Sequence, residues 1–121
     1  MSGRGESCYT WVNIPMEEIR PDFSRKVVHG ENMTFSMIFF KKGARVDLHR
    51  HANEQMSHVL SGAVKFITRE GKEYTVSQGM LMHFPPNVEH GALALEDSVI
   101  IEVFSPPRED WKMGTDHYLR K

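Results

Sequence analysis

The most informative pattern in the sequence lies in residues 43–62, GARVDLHRHANEQMSHVLSG. His49 and His51 are two residues apart, so in an extended strand their side chains point to the same face. Gln55 follows after a turn, and Gly62 closes the next hairpin. The neighbouring antiparallel strand can therefore bring the Gln55 side chain to the two imidazoles.

A second stretch, residues 79–91, GMLMHFPPNVEHG, supplies a further histidine at the start of another strand. His90 follows a Pro-Pro-Asn loop, which ends the preceding strand. Three imidazoles and one amide oxygen around a single point form a ligand set for a first-row divalent ion. The sequence therefore predicts one divalent transition metal (Zn, Ni, Mn or Fe) bound by His49, His51, Gln55 and His90.

Outside these stretches, short runs of β-branched, aromatic and other apolar residues alternate with turn signals at intervals of about ten residues, which is typical of an all-β sandwich or barrel. A short helical turn is predicted at residues 15–19, because Pro suits a first helical position and acidic residues suit a first turn. Pro106 and Pro107 cannot donate to a sheet, so a tail across the barrel is expected after them. The predicted organisation is an N-terminal segment packed on the barrel (1–24), the barrel (25–105) and a C-terminal tail (106–121).

The composition and charge of the chain argue against several classes of function. The chain has 121 residues, enough for one domain, and 15 Lys and Arg against 16 Asp and Glu give a net charge of -1. Without a basic surplus, nucleic-acid binding is not expected. The sequence has no stretch typical of a membrane span or a signal peptide, and Cys8 is the single cysteine, so an internal disulfide is excluded. We expect a cytoplasmic protein that binds neither nucleic acid nor membranes.

The two stretches resemble the paired motifs of the cupins over about residues 43–91. The resemblance implies a double-stranded β-helix, or jelly-roll, barrel whose metal ligands come from a His-x-His pair, an acidic residue after it and a later His. Most cupins have Glu where this chain has Gln55, and Asn87 replaces a small residue of the second motif. Glu54 offers a carboxylate in a different register. The six-residue spacing to Gly62 selects Gln55, and neighbouring strand residues face opposite sides unless the strand has a bulge.

A narrower resemblance links residues 100–110, IIEVFSPPRED, and residues 85–91 to the pectin-degradation cupins of the KdgF type. That family converts 4,5-unsaturated monouronates to the linear 5-keto acid, using a metal held by three His and one Gln. The resemblance implies that Glu102 is an essential acidic catalytic residue and that Phe104 is the aromatic residue of the catalytic pocket. Family members more often have Asp at the position of Glu102, which moves the carboxylate by about one methylene.

The neutral ligand set indicates the chemistry. Because an amide replaces a carboxylate, the metal keeps its full charge and is a stronger Lewis acid. A metal with its full charge attracts a small anionic substrate. The resemblance implies that this substrate is a sugar acid. The set also lacks the two-His-one-carboxylate arrangement of non-haem iron oxygenases. We therefore expect a non-redox isomerase.

Two alternatives stay open at this point. One is a metal cupin acting on an aromatic or polyketide substrate, as a cyclase or dioxygenase, and the other is a non-catalytic sugar or small-molecule binding module. Basic side chains around the open metal face would favour a uronate, whereas a wholly apolar Met and Phe lining would favour a ring system. A metal saturated by protein ligands would favour the binding module.

Three polar residues near the motifs have less defined roles. Asp47 shares the face of His49 if the strand is regular, and it is either an acceptor for an imidazole N–H or a solvated carboxylate. His58 lies on the opposite strand face from Gln55 and is expected in packing or a subunit contact, and His83 could reach the cavity. Because the segment 11–14 and the His58 face have no obvious partner in one small barrel, we also expect a homodimer.

Overall fold

The computed structural model describes residues 5–121, which form ten β-strands, one short α-helix and two 3₁₀ turns. The strands are β1 (Glu17–Arg20), β2 (Phe23–His29), β3 (Thr34–Phe40), β4 (Arg45–His49), β5 (Glu54–Ser61), β6 (Ala63–Thr68), β7 (Glu73–Ser77), β8 (Leu81–Phe84), β9 (His90–Ala94) and β10 (Ser98–Ser105). One 3₁₀ turn (Trp11–Asn13) precedes β1, and helix α1 (Glu109–Met113) and the other 3₁₀ turn (His117–Leu119) follow β10. None of the helices in residues 5–121 has the length and hydrophobicity of a membrane-spanning segment.

The strands form two antiparallel sheets. The larger sheet has the order β1-β2-β3-β10-β5-β8, and the smaller has the order β4-β9-β6-β7. The last strand of the chain, β10, lies in the middle of the larger sheet, between β3 and β5. Burial alternates along β3 and β5, so one face of this sheet lines the interior and the other faces outward. The all-β prediction is confirmed.

Three rows of side chains across β3, β10 and β5 position the site. From the apolar end, the rows are Ile38–Ile100–Val59, Ser36–Glu102–Ser57 and Thr34–Phe104–Gln55. The first row lies in the hydrophobic core, at 1% exposure or less. Two residues further along each strand, the inner face becomes polar. A polar site can therefore form at one end of the barrel, with the apolar core beneath it.

Residues 17–20 form strand β1, so the predicted helical turn at residues 15–19 is wrong. β1 pairs with β2 across the turn at Pro21 and Asp22. Ile19 is buried in the core, and Glu17 accepts a hydrogen bond from Arg25 Nε at 2.8 Å. These contacts are made with residues outside the segment 15–19, and they outweigh its weak local preference for a helical turn.

The chain after β10 is tied to the barrel by buried contacts. Trp111 and Leu119 belong to the hydrophobic core. Asp116 is fully buried and pairs with Arg25 at 2.9 Å and with Arg120 at 3.1 Å. The strands thus run from residue 17, inside the predicted N-terminal segment, to residue 105. The division into 1–24, 25–105 and 106–121 stays a prediction.

Candidate metal centre

Three histidines meet at the polar end of the barrel. His49 ends β4 and His90 begins β9, and the two residues are partners in the antiparallel pairing of these strands. His51 follows two residues after His49. One ligand nitrogen from each ring lies within 4.8 Å of the other two. The structure therefore brings together the three histidines that the spacing selected.

Each imidazole is held by a backbone carbonyl. The Nδ1 atom of each ring lies 2.8–3.0 Å from a carbonyl oxygen two residues away along the chain, those of Asp47, Asn53 and Val88. Since a carbonyl can only accept, Nδ1 carries the proton and donates it in each hydrogen bond. Nε2 is then the unprotonated nitrogen and keeps its lone pair for a metal.

Burial keeps these imidazoles neutral. It is the largest cause that lowers the pKa of His49 to about 3 and that of His51 to about 4, and it also lowers the pKa of His90. The positive charge of Arg108 lowers all three pKa values further. Neutral imidazole is the form that binds a metal, so the three rings are in the ligating state at neutral pH.

The hydrogen bonds of the Gln55 amide fix its orientation. Its Nε2 donates to Ser57 Oγ at 3.0 Å and to Glu102 Oε2 at 3.1 Å. Ser57 Oγ in turn donates to Glu102 Oε2 at 2.8 Å. The amide oxygen Oε1 consequently faces the histidines, 3.1 Å from Nε2 of both His51 and His90. The lone pairs of Oε1 and of these two Nε2 atoms thus face one another and repel. A cation bound between the three atoms would make a favourable contact with each of them.

The residues present therefore fit a divalent transition metal. Three neutral imidazole nitrogens and one amide oxygen converge, and the backbone carbonyls orient the rings as in known metal sites. Gln55 is 4% exposed and on the inner face, whereas Glu54 is exposed and lies 2.6 Å from His83 Nε2 on the outer face. The geometry favours Gln55 over the alternative register through Glu54.

Glu102 and Phe104 also lie on the inner face of β10. Burial raises the pKa of the Glu102 carboxyl, while hydrogen bonds from Ser57 and Gln55 and the charge of Arg108 oppose the rise. Both of these hydrogen bonds end on Oε2, which leaves Oε1 for a ligand as far as the described residues are concerned. Phe104 is 1% exposed, and its ring meets that of His51 edge to face at 5.7 Å.

Arg108 is a site residue that the sequence reasoning missed. Its guanidinium donates to Asp110 through Nε at 3.0 Å and Nη2 at 2.8 Å, and Nη2 also donates to the Tyr118 hydroxyl at 2.5 Å. Its Cζ lies 4.7 Å from the ring centroids of both Phe104 and Trp111. The only sequence signal was its place directly after Pro106 and Pro107, inside the stretch that carries the narrower resemblance.

Most of these groups line one cavity. Its polar lining comes from His49, Gln55, His90, Glu102, Arg108 and Tyr118. The apolar lining comes mainly from aromatic side chains and includes Phe23, Phe40, Phe66, Phe104 and Trp111. The cavity therefore combines neutral metal-ligating groups, one carboxyl group and one guanidinium with an aromatic wall.

Comparisons with known proteins agree with this geometry. Residues 36–104 match the family described as Cupin domain. The chain belongs to the cupin family. It is 30% identical over 100 residues to the pectin degradation protein KdgF of Dickeya dadantii (strain 3937), a match that covers 80% of this chain and 90% of that protein.

Two solved structures resemble this cupin over most of its length. The structure of KdgF from Halomonas sp. matches with a TM-score of 0.80 and 30% identity, covering 87% of this chain and 99% of that one. An RmlC-like cupin from Shewanella frigidimarina matches with a TM-score of 0.81 and 28% identity, covering 88% of this chain and 96% of that one. The predicted cupin barrel and the resemblance to KdgF are confirmed.

In this cupin, the other polar candidates lie away from the His cluster. The Asp47 carboxylate is 70% exposed and lies 3.6 Å from Arg45 Nε, so it is the solvated carboxylate of the two alternatives. Its backbone carbonyl, not its side chain, holds His49. His58 is half-buried on the outer face of β5, and His83 lies on the outer face of β8, so neither reaches the cavity.

Proposed function

We propose that this cupin is a metal-dependent isomerase that opens 4,5-unsaturated monouronates to linear 5-keto acids. In this proposal, His49, His51, Gln55 and His90 bind one divalent transition metal. The similarity to KdgF of Dickeya dadantii supports a uronate substrate, because the name of that protein assigns it to pectin degradation and pectin is built from uronates.

The observation that carries the proposal is the buried Arg108 guanidinium on the wall of the cavity that holds the His cluster. All four proposed ligands are neutral, so a bound divalent ion keeps its full charge. Asp110 offsets part of the Arg108 charge through its two hydrogen bonds. The guanidinium and the ion together still favour a carboxylate-bearing ligand over an uncharged one.

The reaction transfers protons and electron pairs without a net redox change. The C1 hydroxyl of the cyclic substrate loses its proton, its O–H electron pair completes the C1 carbonyl, and the C1–O5 bond breaks with its pair on O5. The resulting enolate takes a proton at C4 as the C5–O bond becomes a ketone. Substrate and product therefore contain the same atoms. A bound divalent metal supplies Lewis-acid polarisation of the substrate oxygens.

Glu102 is the proposed acid and base. It lines the cavity, its hydrogen bonds with Gln55 and Ser57 end on Oε2, and its raised pKa suits a group that both accepts and returns a proton. Phe104 is the proposed aromatic wall of the pocket, next to both the His51 ring and the Arg108 guanidinium.

The aromatic wall favours a second candidate function. Phe23, Phe40 and Phe66 line the cavity below the polar groups. Such a surface suits a metal cupin that acts on an aromatic or polyketide ring, as a cyclase or dioxygenase. Mass spectrometry of products separates the two, since a dioxygenase adds oxygen atoms to its substrate and a uronate isomerase leaves the mass unchanged. A non-catalytic binding module would bind the uronate without consuming it.

A second copy of this chain is the proposed partner, and the outer face of the larger sheet is the proposed contact. The middle strand β10 directs Val99, Ile101 and Val103 outward, and Met56 beside it is 42% exposed. On the β2–β3 side the Trp11 ring covers part of this face, where it stacks on Phe35 at 5.9 Å. The four strands β3, β10, β5 and β8, about 4.8 Å apart and about 20 Å long, present a flat area of about 400 Å², half of the roughly 800 Å² that each partner of a stable dimer buries. A two-fold axis that is parallel to β10 and lies between the two outer faces would bring these apolar residues of the two copies into contact.

The test uses protein stripped with a chelator and reloaded separately with Zn, Ni, Mn or Fe(II). We expect the absorbance of an unsaturated monouronate to fall only with metal-loaded protein. His90→Ala should lose both the metal and the turnover. His83→Ala is the matched control, since this histidine is exposed on the outer face, and it should keep both. Metal-loaded protein that leaves the uronate unchanged with all four ions would contradict the proposal. The cytoplasmic location stays a prediction.

A further inference from the structure

The tail after β10 carries a tyrosine into the cavity. Tyr118 lies in the 3₁₀ turn His117–Leu119, with buried Asp116 two positions before it and buried Leu119 directly after it. Asp116 is fixed by Arg25, which is fully buried, at 2.9 Å, and Leu119 belongs to the hydrophobic core. The backbone on either side of Tyr118 is therefore held in the barrel, and its side chain is directed to the cavity by the fold itself.

The Tyr118 ring and hydroxyl contact two different parts of the site. The ring lies against the His49 imidazole, with centroids 4.5 Å apart and an interplanar angle of 32°. The hydroxyl oxygen accepts a hydrogen bond from Arg108 Nη2 at 2.5 Å. Because the oxygen accepts from Arg108, the hydroxyl proton remains available to donate to another group.

The Arg108 guanidinium also has a nitrogen, Nη1, that can donate to a ligand. Its contacts with Asp110 and Tyr118 use Nε and Nη2, and Nη1 has no hydrogen-bond partner within residues 5–121. The guanidinium plane is held against Phe104 and Trp111, so it cannot turn freely. The guanidinium and the Tyr118 hydroxyl thus present two oriented donors side by side on the wall of one cavity.

We propose that Tyr118 is a specificity-determining residue, whose hydroxyl donates to a substrate carboxylate while Arg108 holds the other oxygen of the same group. This inference rests on the proposed function in that the carboxylate belongs to a uronate. Two adjacent, fixed donors match the two oxygens of a carboxylate and would leave a neutral ester poorly satisfied. Nothing in the sequence pattern marked this residue, because it lies outside both motifs and beyond the last strand.

The test compares Tyr118→Phe, which removes only the hydroxyl, with Tyr74→Phe, which removes the hydroxyl of a tyrosine that is 40% exposed in the smaller sheet. With an unsaturated monouronate as substrate, Tyr118→Phe should raise KM about tenfold and change kcat less than threefold. Metal content and melting temperature should match wild type, and Tyr74→Phe should match wild type in all four quantities. With the methyl ester of the same uronate, wild type and Tyr118→Phe should have equal KM values, because the charged acceptor is gone.

A binding measurement separates this inference from the proposed reaction. In a Trp11→Phe background, Trp111 is the single tryptophan, and it lies in the cavity beside Arg108. Its fluorescence can follow the binding of galacturonate, a saturated uronate that cannot undergo the proposed reaction. A Kd about tenfold weaker in Tyr118→Phe supports the role of Tyr118 even if wild type fails to turn over the unsaturated substrate. Equal Kd values, or no binding of galacturonate by wild type, would overturn it.

Discussion

Replacing Gln55 by Glu would set a second carboxylate against Glu102. The Gln55 Nε2 atom lies 3.1 Å from Glu102 Oε2, and Gln55 is 4% exposed. Two unit charges 3.1 Å apart repel by about 5 kcal/mol at an effective dielectric constant of about 20. Because Glu102 is only half-buried, solvent and rotation of the side chains reduce this to about 1–3 kcal/mol in the free energy of unfolding. For a domain of this size, that lowers the melting temperature by about 4–12 °C.

The assay is thermal unfolding of the chelator-treated protein at pH 8, followed by circular dichroism. Gln55→Glu should melt below wild type, and the double variant Gln55→Glu/Glu102→Gln should recover most of the loss, because one amide again faces one carboxylate. Glu54→Gln is the neighbouring control and should melt like wild type, since Glu54 is exposed on the outer face. A saturating divalent metal should narrow the difference between Gln55→Glu and wild type, because the cation offsets the added negative charge.

An unchanged melting temperature for metal-free Gln55→Glu would refute the reasoning. It would mean that the amide nitrogen does not face Glu102, so the amide oxygen would lose its assigned direction toward the histidines. A drop in Glu54→Gln as large as that in Gln55→Glu would refute it as well, since the effect would then not depend on the inner face.

Three further predictions concern acid stability, catalysis and assembly. Folded His49 and His51 have pKa values of about 3 and about 4, so between pH 6.5 and about pH 4 the unfolded chain binds protons that the folded protein does not. The urea midpoint of metal-free protein should therefore fall as the pH drops through this range, and a constant midpoint would contradict the burial of these histidines as neutral groups. Glu102→Gln should lower turnover of the unsaturated uronate about 10²- to 10⁴-fold while metal content, measured by atomic emission, stays at the wild-type level; equal turnover would remove this residue from the proton transfers. Ile101→Lys on the outer face of β10 should convert a dimer of two 14.0 kDa chains into a monomer in light scattering, whereas Tyr74→Lys should not, and a wild-type monomer would exclude the proposed contact.

Local spacing was enough to predict the histidine cluster. The two-residue spacing predicted that His49 and His51 share a face. The two rings do meet, although β4 ends at His49 and His51 lies in the segment before β5. The same alternation separates Gln55 from Glu54, and the structure puts the former inside and the latter outside. Such arguments need only the identity of neighbouring residues in the sequence, so they require no knowledge of the tertiary structure.

The features that the sequence could not predict depend on distant contacts. The side chain of Asp47 points to solvent because the pairing of β4 with β9 shifts register between Val46 and His49, so the strand is not regular there. Arg108 and Tyr118 follow the last strand, where no periodicity restrains their direction. Their positions depend on contacts with β10 and with the buried ion pair below the tail, and these form only when the chain has folded back on itself.

The place of β10 in the larger sheet also has consequences for how the chain reaches its native state. This strand is the last of the ten along residues 5–121, yet it lies between β3 and β5. Until it inserts, both neighbours have an open edge, and such edges can pair with other unfinished chains. The pairing with β3 joins residues more than 50 positions apart, for example Ser98 with Phe40, and such non-local topology is typical of folding in milliseconds to seconds rather than microseconds. Refolding yield should therefore depend on protein concentration, with dilute chains recovering better than concentrated ones.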